Sequence, residues 1–201
     1  MIDYTNQDFI PQPEHDKIQL TVFYINDTHG DVTRVSKLKT AHNEFKKKNP
    51  KDKSLTLGAG DLYLGAIKSR NSAMTRIYNA INLDYNTFGN HEYDMGSNTL
   101  AILLKKAKFK TVSTNIKIPS NNELRERLKD KKLVKSDICI KNGTRFGILG
   151  TSPSDKDVDA KSNYKVSVLS LEDTIEILNE EAERLEEEGV YSRGDWSESW
   201  A

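Results

Sequence analysis

The chain has 201 residues, with 30 Lys and Arg against 30 Asp and Glu, and its mean hydropathy is −0.68. A chain of this length usually forms one domain. The zero net charge argues against a nucleic-acid binder, and no apolar run reaches the roughly 20 residues that a membrane span needs. The polar N-terminus does not resemble a signal peptide. We therefore expect a soluble cytoplasmic protein without nucleic-acid or membrane partners.

Strands and helices alternate in the first part of the chain. Residues 18–25 form a dense apolar run, which predicts a strand buried on both faces, as in a parallel sheet. A helical pattern follows through Val35, Leu38, His42 and Phe45. Further strands are predicted over 55–57, 85–88 and 111–114, and further helices over 73–81 and 99–107. This alternation predicts a mostly parallel sheet with flanking helices.

The pattern changes after residue 117. Residues 120–136 are polar and predict a surface loop or short helix, and Asn142-Gly143 predicts a hairpin between 137–141 and 144–150. Ser170 caps a predicted helix that ends before Gly189. The expected organisation is a polar leader (1–17), one α/β domain (18–190) and an atypical tail (191–201).

Three polar clusters follow three successive predicted strands: Asp27 with His29, then Asp61, then Asn90 with His91. The spacings of 34 residues (27 to 61) and 29 residues (61 to 90) each correspond to one strand–helix unit. Ligands of open α/β sheets bind at the carboxyl ends of strands, so these side chains can converge. An isolated Asp at a strand end is usually a cap or turn residue, but the ordered set favours a site. Carboxylate, imidazole and amide donors suit Mn²⁺, Zn²⁺ or Fe²⁺.

The order and spacing of these clusters resemble the calcineurin-like dinuclear metallophosphoesterases, and the flanking residues resemble their 5′-nucleotidase branch. The residues that carry the resemblance are Asn26-Asp27-Thr28-His29-Gly30, Gly60-Asp61 and Gly89-Asn90-His91-Glu92. The resemblance covers roughly residues 18–190, the first half or so of such a catalytic domain. It implies part of a four-layer metallophosphoesterase sandwich with a mostly parallel sheet and a hairpin.

The resemblance also implies roles for individual residues. The implied metal ligands are Asp27, His29, Asp61 and Asn90, with Asp61 bridging two divalent ions. His91 would stabilise the phosphoryl transition state or assist the leaving group, and Asp94 would orient His91. The implied reaction is hydrolysis of a phosphate ester, such as a nucleotide, by a metal-bound hydroxide.

The sequence departs from the family pattern after His91. Family members supply histidines from a later Ser-His pair and a Gly-His-x-His loop, whereas the last of the four histidines here is His91. The second ion would then have only Asp61 and Asn90, so we expect one well-held ion. Two alternatives stay open: a truncated, catalytically weak or inactive member that binds metal or a partner without turnover, and a phosphodiesterase acting on 2′,3′-cyclic nucleotides.

Overall fold

The computed structural model describes residues 19–65, 67–153 and 166–190. The predicted leader (1–17) and tail (191–201) lie outside these ranges. The strands are β1 (Thr21–Ile25), β2 (Ser54–Gly58), β3 (Tyr85–Asn86), β4 (Lys110–Val112), β5 (Ile116–Lys117), β6 (Leu133–Val134), β7 (Asp137–Lys141), β8 (Thr144–Ile148) and β9 (Ser167–Val168). The helices are α1 (Val35–Lys48), α2 (Lys68–Ala80), α3 (Ser97–Lys106), α4 (Arg125–Lys129) and α5 (Leu171–Glu187), with a 3-10 helix at His91–Met95.

The main sheet is parallel and has the order β1-β2-β3-β4-β6. This confirms the predicted α/β fold with a mostly parallel sheet. The segment 120–136, predicted as a loop or short helix, contains both α4 and the edge strand β6. A strand of two residues shows no hydrophobic period, so the sequence could not reveal it. The remaining strands form two antiparallel pairs, β5 with β9 and β7 with β8.

Burial of β1 on both faces was predicted, and that prediction is wrong. β1 is an edge strand, and two of its side chains are largely open to solvent: Val22 is 41% exposed and Tyr24 is 72% exposed. Both residues point to the same face, because successive side chains alternate across a strand. The apolar run predicted the strand correctly. Whether each face of that strand is buried depends on which distant parts of the chain pack against it.

The opposite face of the sheet is covered by α1, α2 and α3. Phe23 of β1 points to this side, and its ring lies 5.3 Å from that of His42 in α1. Met74 and Tyr78 of α2 and Leu100 of α3 are buried in the same core. The apolar positions of the helices recur at helical spacing, so each helix buries one side and leaves its charged side in water.

The β7–β8 hairpin packs on the other face at β3 and β4, and α5 packs on the hairpin. The Tyr85 hydroxyl of β3 donates to Asp137 of β7 at 2.8 Å, and Lys110 of β4 contacts the same carboxylate at 2.5 Å. On the outer side of the hairpin, a Cβ built on Gly147 would lie 3.1 Å from Leu185 of α5. The layers are therefore helices, parallel sheet, hairpin and helix. No helix among the described residues has both the length and the apolar character to cross a membrane.

Candidate metal and phosphate site

The loops that follow β1 and β2 are joined by backbone hydrogen bonds beyond the ends of the strands. The Asp27 amide donates to the Gly60 carbonyl at 3.3 Å, and the His29 amide donates to the Asp61 carbonyl at 2.9 Å. The parallel ladder of the two strands thus continues into their loops. This pairing places the first two predicted clusters side by side at the carboxyl edge of the sheet.

Three of the predicted ligands have a left-handed backbone. The φ angles are 52° for Asp27, 48° for His29 and 50° for Asp61. Residues other than glycine enter this region at a cost of about 1–2 kcal/mol each, so the surrounding hydrogen bonds must hold them there. Backbone strain of this kind concentrates at functional sites. Among the described residues, three of the six non-glycine residues with a positive φ are ones that the strand-end pattern had singled out.

The third loop, after β3, closes against the loop after β2. The His91 amide donates to Oδ1 of Asp61 at 2.9 Å. Gly60 and Gly89 allow this close approach, since a Cβ on Gly60 would lie only 2.6 Å from the Gly89 nitrogen. All three predicted clusters therefore meet at one place.

The side chains converge around His29. Its Nε2 lies 3.5 Å from Oδ2 of Asp61 and 3.6 Å from Oδ1 of Asp27, and the rings of His29 and His91 are 5.0 Å apart between centroids. This Nε2 is buried and has no hydrogen-bond partner. Donor atoms of His29, Asp61 and His91 lie within 4.8 Å of one another, an arrangement that can hold a metal ion. A buried imidazole nitrogen among carboxylates has the donor chemistry that a divalent transition metal requires.

His91 and Asp94 form a second pair at the rim of the cluster. Nδ1 of His91 lies 2.8 Å from Oδ2 of Asp94, which also accepts a hydrogen bond from the Gly65 amide at 2.9 Å. Donation from Nδ1 to a carboxylate fixes the orientation of the ring and leaves Nε2 to act on a substrate or an ion. The structure brings the side chains of Asp94 and His91 into contact, and the orienting role of Asp94 stays a prediction.

Two further histidine and asparagine positions, Asn90 and His42, lie in different surroundings. Asn90 lies immediately before His91, and its carbonyl accepts a hydrogen bond from the Tyr93 amide at 3.3 Å. Metal binding by the Asn90 side chain stays a prediction. His42, expected to be a packed helix residue, is buried away from the cluster and its Nε2 lies 3.1 Å from the Thr56 hydroxyl.

Sequence reasoning gave no role to Glu92, although it belongs to the quoted Gly-Asn-His-Glu motif. Its side chain is completely buried and accepts hydrogen bonds from the amides of Asp61 at 2.9 Å, Leu62 at 2.7 Å and Gly89 at 2.7 Å. Burial raises the pKa of Glu92 to about 7, and the backbone donors offset only part of that effect. The motif was the only signal for this residue, because its partners are distant in sequence.

Comparison with known proteins identifies nucleotidases as relatives of this chain. No protein-family model matches the chain. The NAD 5′-nucleotidase of Haemophilus influenzae is 30% identical over an alignment of 174 residues, and the match covers 75% of this chain and 27% of that protein. The solved structure of Haemophilus influenzae NAD nucleotidase superposes with a TM-score of 0.71 at 26% identity, over 85% of this chain and 32% of that one.

A more distant structure agrees in fold alone. The calcineurin-like phosphoesterase YfkN from Bacillus subtilis superposes with a TM-score of 0.63 at 21% identity, over 86% of this chain and 60% of that chain. This chain thus spans about a third or less of the NAD nucleotidases that it resembles.

Proposed function

The chain belongs to the calcineurin-like phosphoesterases, on their 5′-nucleotidase branch, and from this premise we propose that it hydrolyses a phosphate ester of a nucleotide or a similar small molecule. The observation that carries the proposal is the buried, unpartnered Nε2 of His29 between the carboxylates of Asp27 and Asp61. No described residue forms a hydrogen bond with this nitrogen, so it is available to bind a metal ion.

The residues around His29 fit a divalent metal ion. Asp27, His29 and Asp61 would hold it, with Asn90 as a further ligand, and this mixed set of oxygen and nitrogen donors suits Mn²⁺, Zn²⁺ or Fe²⁺. Such an ion supplies activation of water near neutral pH and neutralisation of phosphoryl charge. We propose one well-held ion, because Asp61 and Asn90 alone form a poor second site.

His91 would act on the phosphoryl group. A protonated Nε2 can hydrogen-bond a phosphoryl oxygen or give its proton to the leaving oxygen of the ester, which departs as an alcohol. Asp94, 2.8 Å from Nδ1, would stabilise the positive ring before the transfer and keep it in place. The strained loops would hold these groups in position before the substrate arrives, so little reorganisation is needed during the reaction.

The proposal is tested with the purified chain, by measuring phosphate release from AMP with Mn²⁺ and, separately, Mn²⁺ binding by electron paramagnetic resonance. Asp61→Asn is expected to lower both by about 100-fold or more, since the loss of an outer-shell partner alone costs about 10–100-fold. Asp52→Asn is the matched control, because Asp52 is an exposed carboxylate that precedes β2, at the opposite end of that strand from Asp61. It should behave as the wild type.

The outcomes separate the candidate functions. Hydrolysis that is lost only in Asp61→Asn supports a hydrolase, and 2′,3′-cyclic AMP tested beside AMP distinguishes a phosphodiesterase from a nucleotidase. Mn²⁺ binding without hydrolysis would refute the proposed reaction and leave a metal-binding protein without turnover. Absence of both would refute the site itself. The cytoplasmic location and the lack of nucleic-acid partners stay predictions.

A further inference from the structure

We propose that Glu92 is a positioning residue that sets Asp61 against His91 by tying the loop after β2 to the loop after β3. This inference deepens the proposed metal site and rests on it for its functional consequence. It concerns a residue that touches neither substrate nor ion in the proposal.

The two carboxylate oxygens of Glu92 bind different parts of the site. Oε1 accepts from the amides of Leu62 at 2.7 Å and Tyr63 at 3.4 Å. Oε2 accepts from the amide of Asp61 at 2.9 Å and from that of Gly89 at 2.7 Å. One oxygen atom therefore joins Asp61, in the loop after β2, to Gly89, in the loop after β3.

The connection is reciprocal. The side chain of Glu92 accepts from the backbone of Asp61, and the side chain of Asp61 accepts from the backbone of His91 at 2.9 Å. Each loop thus supplies one backbone donor and one side-chain acceptor to the other loop. On the side of the β3 loop, the two residues involved are the neighbours His91 and Glu92. Rotation of the Asp61 carboxylate away from His29 would break the bond to His91, so the brace fixes the donor atoms relative to one another.

The backbone explains why a carboxylate is needed here. Asp61 has a φ of 50°, and the amides of Asp61, Leu62 and Tyr63 point to one concave spot, which is the geometry of a backbone anion nest. The spot is fully buried, so these donors cannot turn to bulk water. An apolar side chain would leave them unsatisfied, whereas the two carboxyl oxygens of Glu92 fill the nest with hydrogen-bond acceptors.

The test compares Glu92→Gln with Glu181→Gln. The amide group of glutamine keeps the shape but presents a donor to amides that need an acceptor. Glu181 is the matched control, because it is also a buried carboxylate, but it lies on α5 and accepts hydrogen bonds from Ser136 and Arg184 instead of from the site loops. We expect Glu92→Gln to weaken Mn²⁺ binding by about 10–100-fold and Glu181→Gln to leave it within about twofold of the wild type. Equal affinities in wild type and Glu92→Gln would overturn the proposal.

Amide hydrogen exchange provides a second readout that does not depend on a metal. In the wild type, the amides of Asp61, Leu62 and Gly89 should exchange as slowly as the core of the sheet. In Glu92→Gln they should exchange more than tenfold faster, with the Ala59 amide, which donates to Ile25 at 2.8 Å, unchanged. Fast exchange of the three amides in the wild type would overturn the brace even if the variant failed to fold.

The two readouts also separate this inference from the proposed function. If the wild type binds no Mn²⁺ but exchange of the three amides depends on Glu92, the proposed metal site fails and the brace stands as a structural device. If the wild type binds Mn²⁺ and Glu92→Gln changes neither affinity nor exchange, the metal site stands and the positioning role is wrong.

Discussion

The approach of Gly60 to Gly89 gives a sharp test of how tightly the site loops are packed. A Cβ added to Gly60 would lie 2.6 Å from the nitrogen and 2.9 Å from the Cα of Gly89. Both are backbone atoms, so neither can rotate away. Gly65, five residues later, also has a positive φ, 59° against 90° at Gly60, but a Cβ there would meet nothing within 4 Å. The two positions therefore differ mainly in whether an added Cβ would overlap with backbone atoms of another loop.

Alanine at either position adopts a left-handed backbone, at a cost of about 1–2 kcal/mol. It also restricts the unfolded chain to a similar extent at both positions, so that contribution cancels in the comparison. At Gly60 the overlap with Gly89 adds the cost of overpacking, about 1–3 kcal/mol. We therefore expect Gly60→Ala to be less stable than Gly65→Ala by about 1–3 kcal/mol.

Urea denaturation of the wild type and both variants at pH 7 measures the difference directly, provided that the slope of the transition is unchanged. Equal losses of stability in the two variants would refute the reasoning, because they would show that the β2 and β3 loops separate at little cost. A loss confined to Gly65→Ala would contradict the placement of the loops themselves.

Two further predictions concern pH. Burial lowers the pKa of His42 below its ordinary value of 6.5, so wild-type stability should fall as the pH drops below 6.5, and His42→Gln should abolish that step. Burial by itself would raise the pKa of Glu181, but hydrogen bonds from Arg184 and Lys135 outweigh it and lower the pKa to about 2. With allowance for solvent screening of these partners, the lowered pKa adds about 2 kcal/mol to the free energy of unfolding above pH 4.5. This stabilisation should be lost as the pH falls toward 2, and it should be absent in Glu181→Gln.

Urea midpoints measured from pH 7.5 to pH 3 check both predictions, since the loss due to His42 begins below pH 6.5 and the loss due to Glu181 begins below pH 4.5. Glu126→Gln is the control for the acid window, because Glu126 pairs with Lys129 on an exposed helix face. A stability curve that is flat between pH 7 and pH 5 would refute the buried neutral state of His42. A loss below pH 4.5 that persists in Glu181→Gln would assign it to other carboxylates.

Much of the site could be predicted because its residues stand at regular places in a repeating unit. Asp27, Asp61 and Asn90 each follow a strand, and parallel strands bring their carboxyl ends to one edge whatever the details of packing. The hairpin was equally local. Asn142 and Gly143 have φ angles of 48° and 79°, the two left-handed residues that a tight hairpin turn requires.

Other features were invisible to local patterns. The two-residue strand β6 has too few positions to show a period, and the exposure of Tyr24 follows from the place of β1 at the edge of the sheet, which pairing between separate strands decides. The role of Glu92 is of the same kind, since its partner amides at Asp61 to Tyr63 precede it by 29 to 31 residues.

The order of strands and helices, the strand ends that carry donors and the residue types that could hold an ion were all predictable from the amino-acid sequence. They follow from short-range propensities and from the fixed geometry of a parallel sheet. Three features became visible only in the folded chain: which donor atoms meet, the burial of His29 Nε2 without a hydrogen-bond partner, and the bonds from Glu92 to the amides of both loops. These features depend on the distances between loops. The close packing of the Gly60 and Gly89 backbones sets those distances, and no local sequence pattern encodes them.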